Sequence, residues 1–278
     1  MTGVSPDPGT RRGVVLVNQS TGRSADALAE LRARFTDCDI DVVPATAVAD
    51  RARDARKAGA RFVAVVGGDQ AIRMAAEELA HGDTALVPVP NGSASRFARS
   101  LGIEALDDAE AATRTDHIEA LDLGRVNDRG FVNSASVGFY PNVIDAPSSR
   151  AAFRALVRGP RFTLRLDRRP VAAWLVFVGN GCYGEDVRDI EHRENIDEHL
   201  LDVRIVRAHA RFARIRLALA QLTGRVEPLL ERRTCRAITV NVAGGDAVEV
   251  TLDGEPMSLS APLRFESDAG ALAVMRPR

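Results

Sequence analysis

The first 120 residues alternate between two hydrophobic periods, and this alternation restricts the fold more than any other feature of the chain. Short runs rich in β-branched residues occur at 13–18 (GVVLVN), 39–43 (DIDVV), 61–68 (RFVAVVGG) and 85–89 (ALVPV). Apolar residues between these runs recur at helical spacing, as Leu28, Leu31 and Phe35 do. Strands that alternate with helices form a parallel sheet covered by helices on both faces. The sequence therefore predicts an α/β domain over residues 1–120.

Beyond residue 121 the helical spacing gives way to strand-like runs. These are 120–126, 130–139, 172–180, 200–206, 236–242, 247–254 and 263–267. One segment, 210–224, keeps the spacing of a helix. We expect a second, β-rich sandwich domain over 121–260, with residues 261–278 as a candidate return to the first domain.

Composition and charge narrow the class of protein. The chain has 278 residues, of which 45% are hydrophobic and 27% charged, as in soluble globular proteins. A formal net charge of −1 argues against a nucleic-acid partner. The 3 cysteines form no metal-ligand pair, so we expect a reduced, cytoplasmic setting. The longest apolar run, Val171 to Val178, is too short to span a bilayer.

A pair of glycines and an aspartate, Gly67, Gly68 and Asp69, follows the buried run that begins at residue 61. In open α/β sheets ligands bind beyond the carboxyl ends of the strands. A glycine pair there lets backbone amides approach a phosphate, and the following helix adds its positive end. An ordinary turn in which Asp69 caps the helix explains the same spacing. The only lysine, Lys57, lies outside any phosphate-binding motif, which excludes the Walker loop and the protein-kinase signature.

Two neighbouring signals in the second half are weaker. Gly179, Gly181 and Gly184 match the dinucleotide fingerprint, but the residues that follow have too few apolar positions for the required helix. The segment 185–198 holds seven acidic residues, which could supply oxygen ligands to Mg²⁺ or Ca²⁺. A solvated acidic loop explains this segment better than a metal site does.

The segment 150–169 is strongly basic. It contains seven arginines and one acid, Asp167, with apolar residues interleaved. Such a surface suits anionic lipid headgroups, which predicts peripheral contact with the inner face of a membrane. The alternative is a solvated basic face of a packed helix or hairpin.

Five short motifs occur in order along the chain. They are NQSTG (18–22), GGDQA (67–71), VPNGSASRFARSLGI (89–103), LDLGRVNDRGFVNSASVGF (121–139) and TLDGEP (251–256). In register, they resemble the motifs of the bacterial diacylglycerol kinase and lipid kinase family, which also includes sphingosine and ceramide kinases. The resemblance covers nearly the whole chain. It implies an NAD-kinase/diacylglycerol-kinase-like α/β domain followed by a β-sandwich, and transfer of the γ-phosphate of ATP to a lipid hydroxyl, diacylglycerol-like, with Mg²⁺.

The resemblance also implies roles for single residues. The positions that match the family's ATP contacts are Asn18, Ser20, Gly22, Thr46, Gly67, Gly68, Gln70 and Ser93. Glu255 matches the proton acceptor, with Asp253 beside it, and Asp69 matches the acid of the glycine-rich loop. Asp197 and Glu198 fall where the family's D-D-G helps to hold a structural metal. A homodimer is compatible with the resemblance.

The chain departs from the family pattern at these loops. Gln70 replaces a glycine, and a positive φ there would cost a non-glycine residue roughly 1–2 kcal/mol. Ser95 and Arg96 stand where the family has Asn and Asp, and Asp197-Glu198-His199 replaces D-D-G. Either Arg96 meets a phosphate in a working kinase, or the chain binds a lipid or small molecule without phosphorylating it. A kinase of a soluble alcohol is a third hypothesis.

Overall fold

A computed structural model describes residues 13–19, 25–90, 95–138, 162–166, 169–184, 193–208, 230–242 and 246–277. These residues divide into two compact units. The first unit draws on residues 1–123 and 269–278, and the second on residues 124–268. The chain therefore returns to the first unit at its end.

The first unit is an α/β fold. Its helices are α1 (Ala25–Arg34), α2 (Val48–Lys57), α3 (Asp69–Leu79), α4 (Arg96–Ser100) and α5 (Leu106–Arg114), with a 3-10 turn at Ala45–Ala47. Its strands are β1 (Gly13–Asn18), β2 (Cys38–Val43), β3 (Phe62–Gly67) and β4 (Ala85–Pro90), together with the first part of β5 (Ile118–Val126) and the last part of β17 (Leu263–Met275). The sheet runs β2, β1, β3, β4, β17, and each neighbouring pair is parallel.

Hydrophobic burial explains why these segments adopt their observed structure. Every residue of β3 is buried, as a central strand of a parallel sheet requires. In α3 the residues at helical spacing are buried, among them Ile72, Ala76 and Leu79. Gly59, with φ of +74°, follows α2 and ends it, because a left-handed residue cannot continue the helix.

The second unit is built from antiparallel strands. They are β6 (Arg129–Phe131), β7 (Ser134–Gly138), β8 (Phe162–Leu166), β9 (Arg169–Asn180), β10 (Cys182–Tyr183), β11 (Arg193–Asn195), β12 (Leu201–Arg207), β13 (Leu230–Cys235), β14 (Ala237–Val242), β15 (Ala247–Leu252) and β16 (Glu255–Ser260). The order β16, β15, β7, β9, β8, β14 forms one path, and β12 pairs with both β9 and β13. Its core is a cluster of buried side chains that includes Phe131, Val178 and Phe265.

The predicted fold class, α/β followed by β-rich, is confirmed. All four strands predicted in the first unit and all the strand-like runs of the second unit are observed as strands. The pattern missed β8, which lies inside the basic segment, and also β10, β11, β13 and β16. The predicted helix at 210–224 lies outside the described residues. Among the residues that the structure describes, no helix is long and apolar enough to cross a membrane.

Candidate functional site

The carboxyl edge of the parallel sheet in the first unit carries the residues of the first two motifs. Asn18 ends β1 and Gly67 ends β3, and these strands pair in register, with Val17 opposite Val66. A Cβ atom on Gly67 would lie 3.0 Å from the Cβ of Ala71 and 3.6 Å from that of Asn18. Close packing therefore favours glycine at position 67, whereas its backbone conformation does not require glycine, since its φ is not in the left-handed region.

The turn from β3 into α3 is an ordinary helix start. Gly68 is the N-cap in an extended conformation, with φ of −82° and ψ of 175°. Gln70 lies in the first turn of α3, has an exposed side chain and is not among the residues with positive φ. The idea that Gln70 strains this turn is therefore wrong, since the helical conformation suits glutamine better than glycine.

Asp69 is the first residue of α3, but its carboxylate serves another helix. Its Oδ1 accepts a hydrogen bond from the backbone N–H of Phe97 at 3.1 Å. Its Oδ2 accepts from the backbone N–H of Arg96 at 3.2 Å and from Arg96 Nε at 3.5 Å. The idea that Asp69 caps its own helix is thus corrected, because the backbone amides that its carboxylate accepts are the first two of α4.

The electrostatic balance at Asp69 is set mainly by burial. The residue is only 5% exposed. Burial raises the pKa of the Asp69 carboxyl group above its ordinary value, although the amide of Phe97 and the charge of Arg96 act in the opposite direction. Next to it, the buried Ser95 donates its hydroxyl hydrogen to the carbonyl oxygen of Gly67 at 2.9 Å. Residues 95–97 are therefore joined both to the end of β3 and to the start of α3.

The remaining predicted contacts of the nucleotide fall in three places. Thr46 is exposed in the 3-10 turn that follows β2, and β2 pairs with β1 so that Asn18 lies opposite Val43. Thr46 therefore lies just beyond the carboxyl end of a neighbouring strand. Ser20, Gly22 and Ser93 lie outside the described residues.

In the second unit, Asp253 and Gly254 form the tight turn between β15 and β16. Their φ angles are +48° and +90°, the pattern of a type I′ hairpin turn, and Leu252 pairs with Glu255 across it. β15 and β16 therefore form a hairpin. Glu255 is partly buried and is the first residue of β16.

The carboxylate of Asp253 accepts hydrogen bonds from three consecutive backbone amides. Oδ2 accepts from Val132 at 2.8 Å, and Oδ1 accepts from Asn133 at 2.8 Å and Ser134 at 3.0 Å. Asp253 is only 7% exposed. These contacts anchor the turn before Glu255 to the loop between β6 and β7. They identify Asp253 as a residue that holds this region together.

Asp197 and Glu198, the predicted metal ligands, are both exposed. Glu198 accepts a hydrogen bond from Asn195 Nδ2 at 2.7 Å and lies 3.5 Å from the Sγ of Cys182. Within the ranges that the structure describes, no group of three or more His, Cys, Asp or Glu side chains could hold a metal ion. Asp197 and Glu198 are therefore not part of such a group among the described residues. The other acids of the segment, 185–192, lie outside those ranges.

Sequence reasoning missed a buried charged group close to this segment in the chain. Asp202, which is fully buried, accepts hydrogen bonds from Arg204 Nη2 at 2.8 Å and Arg232 Nε at 3.1 Å. The two arginines also donate to the carbonyl oxygens of Gly184 and Tyr183. Alternation places Asp202 and Arg204 on one face of β12, so the pair was visible in the sequence, but the partner Arg232 was not.

Residues 12–126 match the family described as the diacylglycerol kinase catalytic domain. A probable lipid kinase (YegS-like) from Pseudomonas syringae is 28% identical over 281 residues, which cover 91% of this chain and 88% of that protein. A probable lipid kinase of the same description from Pseudomonas aeruginosa is 28% identical, with 81% of this chain and 79% of that protein covered.

A solved structure of a diacylglycerol kinase from Bacillus anthracis has the same fold. It superposes with a TM-score of 0.70 at 19% identity and covers 96% of this chain and 97% of that one. A second structure from the same organism gives a TM-score of 0.72 at 18% identity. The family match, the relatives and the shared fold confirm that this chain resembles the diacylglycerol kinases and lipid kinases.

Proposed function

We propose that this protein is a lipid kinase that transfers the γ-phosphate of ATP to the hydroxyl group of a diacylglycerol-like lipid. The observation that carries the proposal is the carboxyl edge of the parallel sheet. Asn18 and Gly67 lie side by side there, and α3 begins directly afterwards. A phosphate is bound favourably where backbone N–H groups can approach it closely and where the positive N-terminal end of a helix points toward it. This edge lies within the segment that matches the catalytic domain, 12–126.

Glu255 is the residue that we assign as the proton acceptor. A lipid hydroxyl must lose its proton as it attacks phosphorus, and a carboxylate within hydrogen-bond reach can accept it. The two-residue turn at Asp253 and Gly254 fixes where β16 starts, and therefore fixes the backbone of Glu255. The assignment rests on the DGEP motif and on this constrained position.

In this proposal Mg²⁺ would accompany the phosphates of ATP, as the resemblance to the lipid kinases implies, and would take most of its ligands from phosphate and water oxygens. The carboxylate of Asp69 already receives three N–H donors. We therefore assign the binding of the phosphates to the residues of the sheet edge, and the acceptance of the proton to Glu255.

A phosphorylation assay tests the proposal. Purified protein is incubated with radiolabelled ATP, Mg²⁺ and diacylglycerol in mixed micelles, and labelled lipid is counted. Glu255→Gln should lower kcat by about 100-fold or more, since a general base contributes roughly 10²–10⁴. The matched control is Glu249→Gln, because Glu249 is an exposed glutamate on the same hairpin. Equal activity in the two variants would remove Glu255 from the mechanism.

One observation favours a second function, binding without phosphorylation. Arg96 places a guanidinium 3.5 Å from Asp69 at a position where the related kinases carry an acid. Calorimetric titration with ATP, with and without Mg²⁺, separates the two functions. If the folded protein does not bind ATP, the second function is favoured, and lipids are then the ligands to test without a nucleotide.

The acceptor and the membrane contact need separate tests. Within the basic segment, residues 150–161 and 167–168 lie outside the described ranges, so contact with a membrane stays a prediction. Replacing Arg154 and Arg158 by Glu should weaken sedimentation with anionic vesicles if this segment contacts the lipid.

The identity of the acceptor needs a separate test. A screen of soluble alcohols in the phosphorylation assay tests the third hypothesis, a soluble acceptor. Light scattering in solution tests the predicted homodimer.

A further inference from the structure

Asp69 is the motif acid that belongs beside the nucleotide in the proposed function, yet its carboxylate is engaged by the protein itself. Both oxygens accept hydrogen bonds from backbone amides, those of Arg96 and Phe97. The guanidinium of Arg96 adds a positive charge at 3.5 Å from Oδ2. A metal ion on this carboxylate would face N–H donors and a like charge, which is electrostatically unfavourable.

A second connection reinforces the first. Ser95, which is fully buried, donates its hydroxyl hydrogen to the carbonyl oxygen of Gly67. Phe97, only 1% exposed, is part of the buried core. We call these contacts, made by Gly67, Asp69, Ser95, Arg96 and Phe97, the loop clasp. The clasp joins the end of β3 and the start of α3 to the start of α4.

We propose that Asp69 is a positioning residue, which fixes residues 95–97 against the end of β3, and that it is not a metal ligand. The inference rests on the proposed function, because the clasp lies at the sheet edge to which we assign the nucleotide. Asp69 thus acts on ATP through the segment that it holds, Arg96 included. The charge of Arg96 faces Asp69, which balances it.

Hydrogen exchange and calorimetry on the full chain test this inference. Asp69→Asn replaces one of the two acceptor oxygens by an NH₂ donor and removes the charge, so at least one of the Arg96 and Phe97 amides should exchange about tenfold faster. ATP affinity should fall by one common factor with and without Mg²⁺. The matched control is Asp108→Asn, because Asp108 accepts the amides of Glu104 and Ala105 in the same unit. The control should leave exchange at Arg96 and Phe97, and ATP affinity, unchanged.

Each outcome decides the role of Asp69. Wild-type exchange in Asp69→Asn would overturn the inference, and so would a loss of ATP affinity that appears only with Mg²⁺. If Asp69→Asn does not fold, Asp69→Glu replaces it. The longer carboxylate of glutamate can still bind a metal, but it is displaced from the two backbone amides. If Asp69 positions residues 95–97, the Arg96 and Phe97 amides should exchange faster in Asp69→Glu. If Asp69 is only a metal ligand, their exchange should not change. If the wild type binds no ATP in either condition, the proposed function fails, while the exchange data still decide the clasp.

Discussion

At the scale of single residues, Asp253 combines a positive φ angle with a carboxylate whose two oxygens both accept hydrogen bonds. Its φ is +48°, a region that Asp and Asn tolerate better than other residues with a side chain. Its two oxygens receive three backbone amides, and its own N–H donates to the carbonyl oxygen of Ser134 at 2.9 Å. The side chain therefore acts as a connector between two loops of the second unit.

Asp253→Asn should lower the free energy of unfolding by about 2–3 kcal/mol, because the charged acceptor is lost and one of the two acceptor oxygens becomes an NH₂ group that faces a buried N–H donor. Asparagine tolerates the same φ, so backbone strain does not contribute. Urea unfolding followed by circular dichroism measures the change. The control is Asp246→Asn, an exposed aspartate before the same hairpin, which should cost less than about 0.5 kcal/mol. Equal stability of the two variants would contradict the connector role.

Glu231 should make the second unit sensitive to acid. Burial acts to raise the pKa of its carboxyl group, but hydrogen bonds from Arg207 and Arg233 outweigh it, and the pKa is lowered. The unfolded chain, with an ordinary value of about 4.3, therefore takes up a proton first as the pH falls. Stability from this group is present above about pH 4.3 and is lost as the pH falls through the lower folded value.

Urea unfolding between pH 3 and pH 7 measures this dependence. Glu231→Gln should show a smaller loss of stability toward low pH than the wild type. Glu249→Gln, which changes an exposed glutamate of the same unit, should keep the wild-type dependence. A wild-type slope in Glu231→Gln would show that the arginine contacts do not lower this pKa.

At the scale of elements, the start of α3 explains why one departure from the family pattern does no harm to the fold. Gly68 takes the N-cap position, so Gln70 already has helical neighbours and an exposed side chain. Glutamine favours a helix more than glycine does. The start of α4 depends in contrast on α3, since Asp69 holds the first two amides of α4.

Gln70→Gly should therefore destabilise the protein by about 1 kcal/mol, because glycine loses more backbone entropy in a helix. ATP affinity should change less than about twofold, since no positive φ is relieved. Thermal unfolding and calorimetric titration measure the two effects, with Gln70→Ala as the matched control that keeps helix propensity. Stronger ATP binding by Gln70→Gly alone would show that the side chain obstructs the nucleotide.

At the scale of the whole molecule, β17 contributes to the sheets of both units. Residues 263–266 pair with β14 in the second unit, and Val274 pairs in parallel with Leu86 in the first. Leu272 and Met275 are fully buried. The last residues of the chain therefore complete the sheet that carries the candidate nucleotide edge.

Leu272→Ala should cost about 3 kcal/mol, as expected when a large buried side chain is shortened. The loss arises in the first unit, although Leu272 is remote in sequence from the rest of that unit. Chemical denaturation measures it, and Arg264→Ala, an exposed position of the same strand, is the control and should cost little. A cost below about 1 kcal/mol would mean that this strand end adds little to the core.

Much of the fold could be predicted because hydrophobic period is a local property. Runs such as 13–18 and 247–252 are strands as their alternation or continuous burial indicates. The roles of Asp69 and Asp253 could not be predicted. Asp69 meets Phe97 across 28 positions of sequence, and Asp253 meets Val132 across 121. No local pattern encodes such partners.

The sequence by itself determined the two fold classes, the order of the motifs and the resemblance to lipid kinases, because each depends on residue types at fixed spacing. The tertiary structure decided what the motif acids do. Only folding brings the Asp69 carboxylate to the amides of α4 and the Asp253 carboxylate to the loop before β7. Burial explains these contacts, because a buried carboxylate is stable only where hydrogen-bond donors surround it.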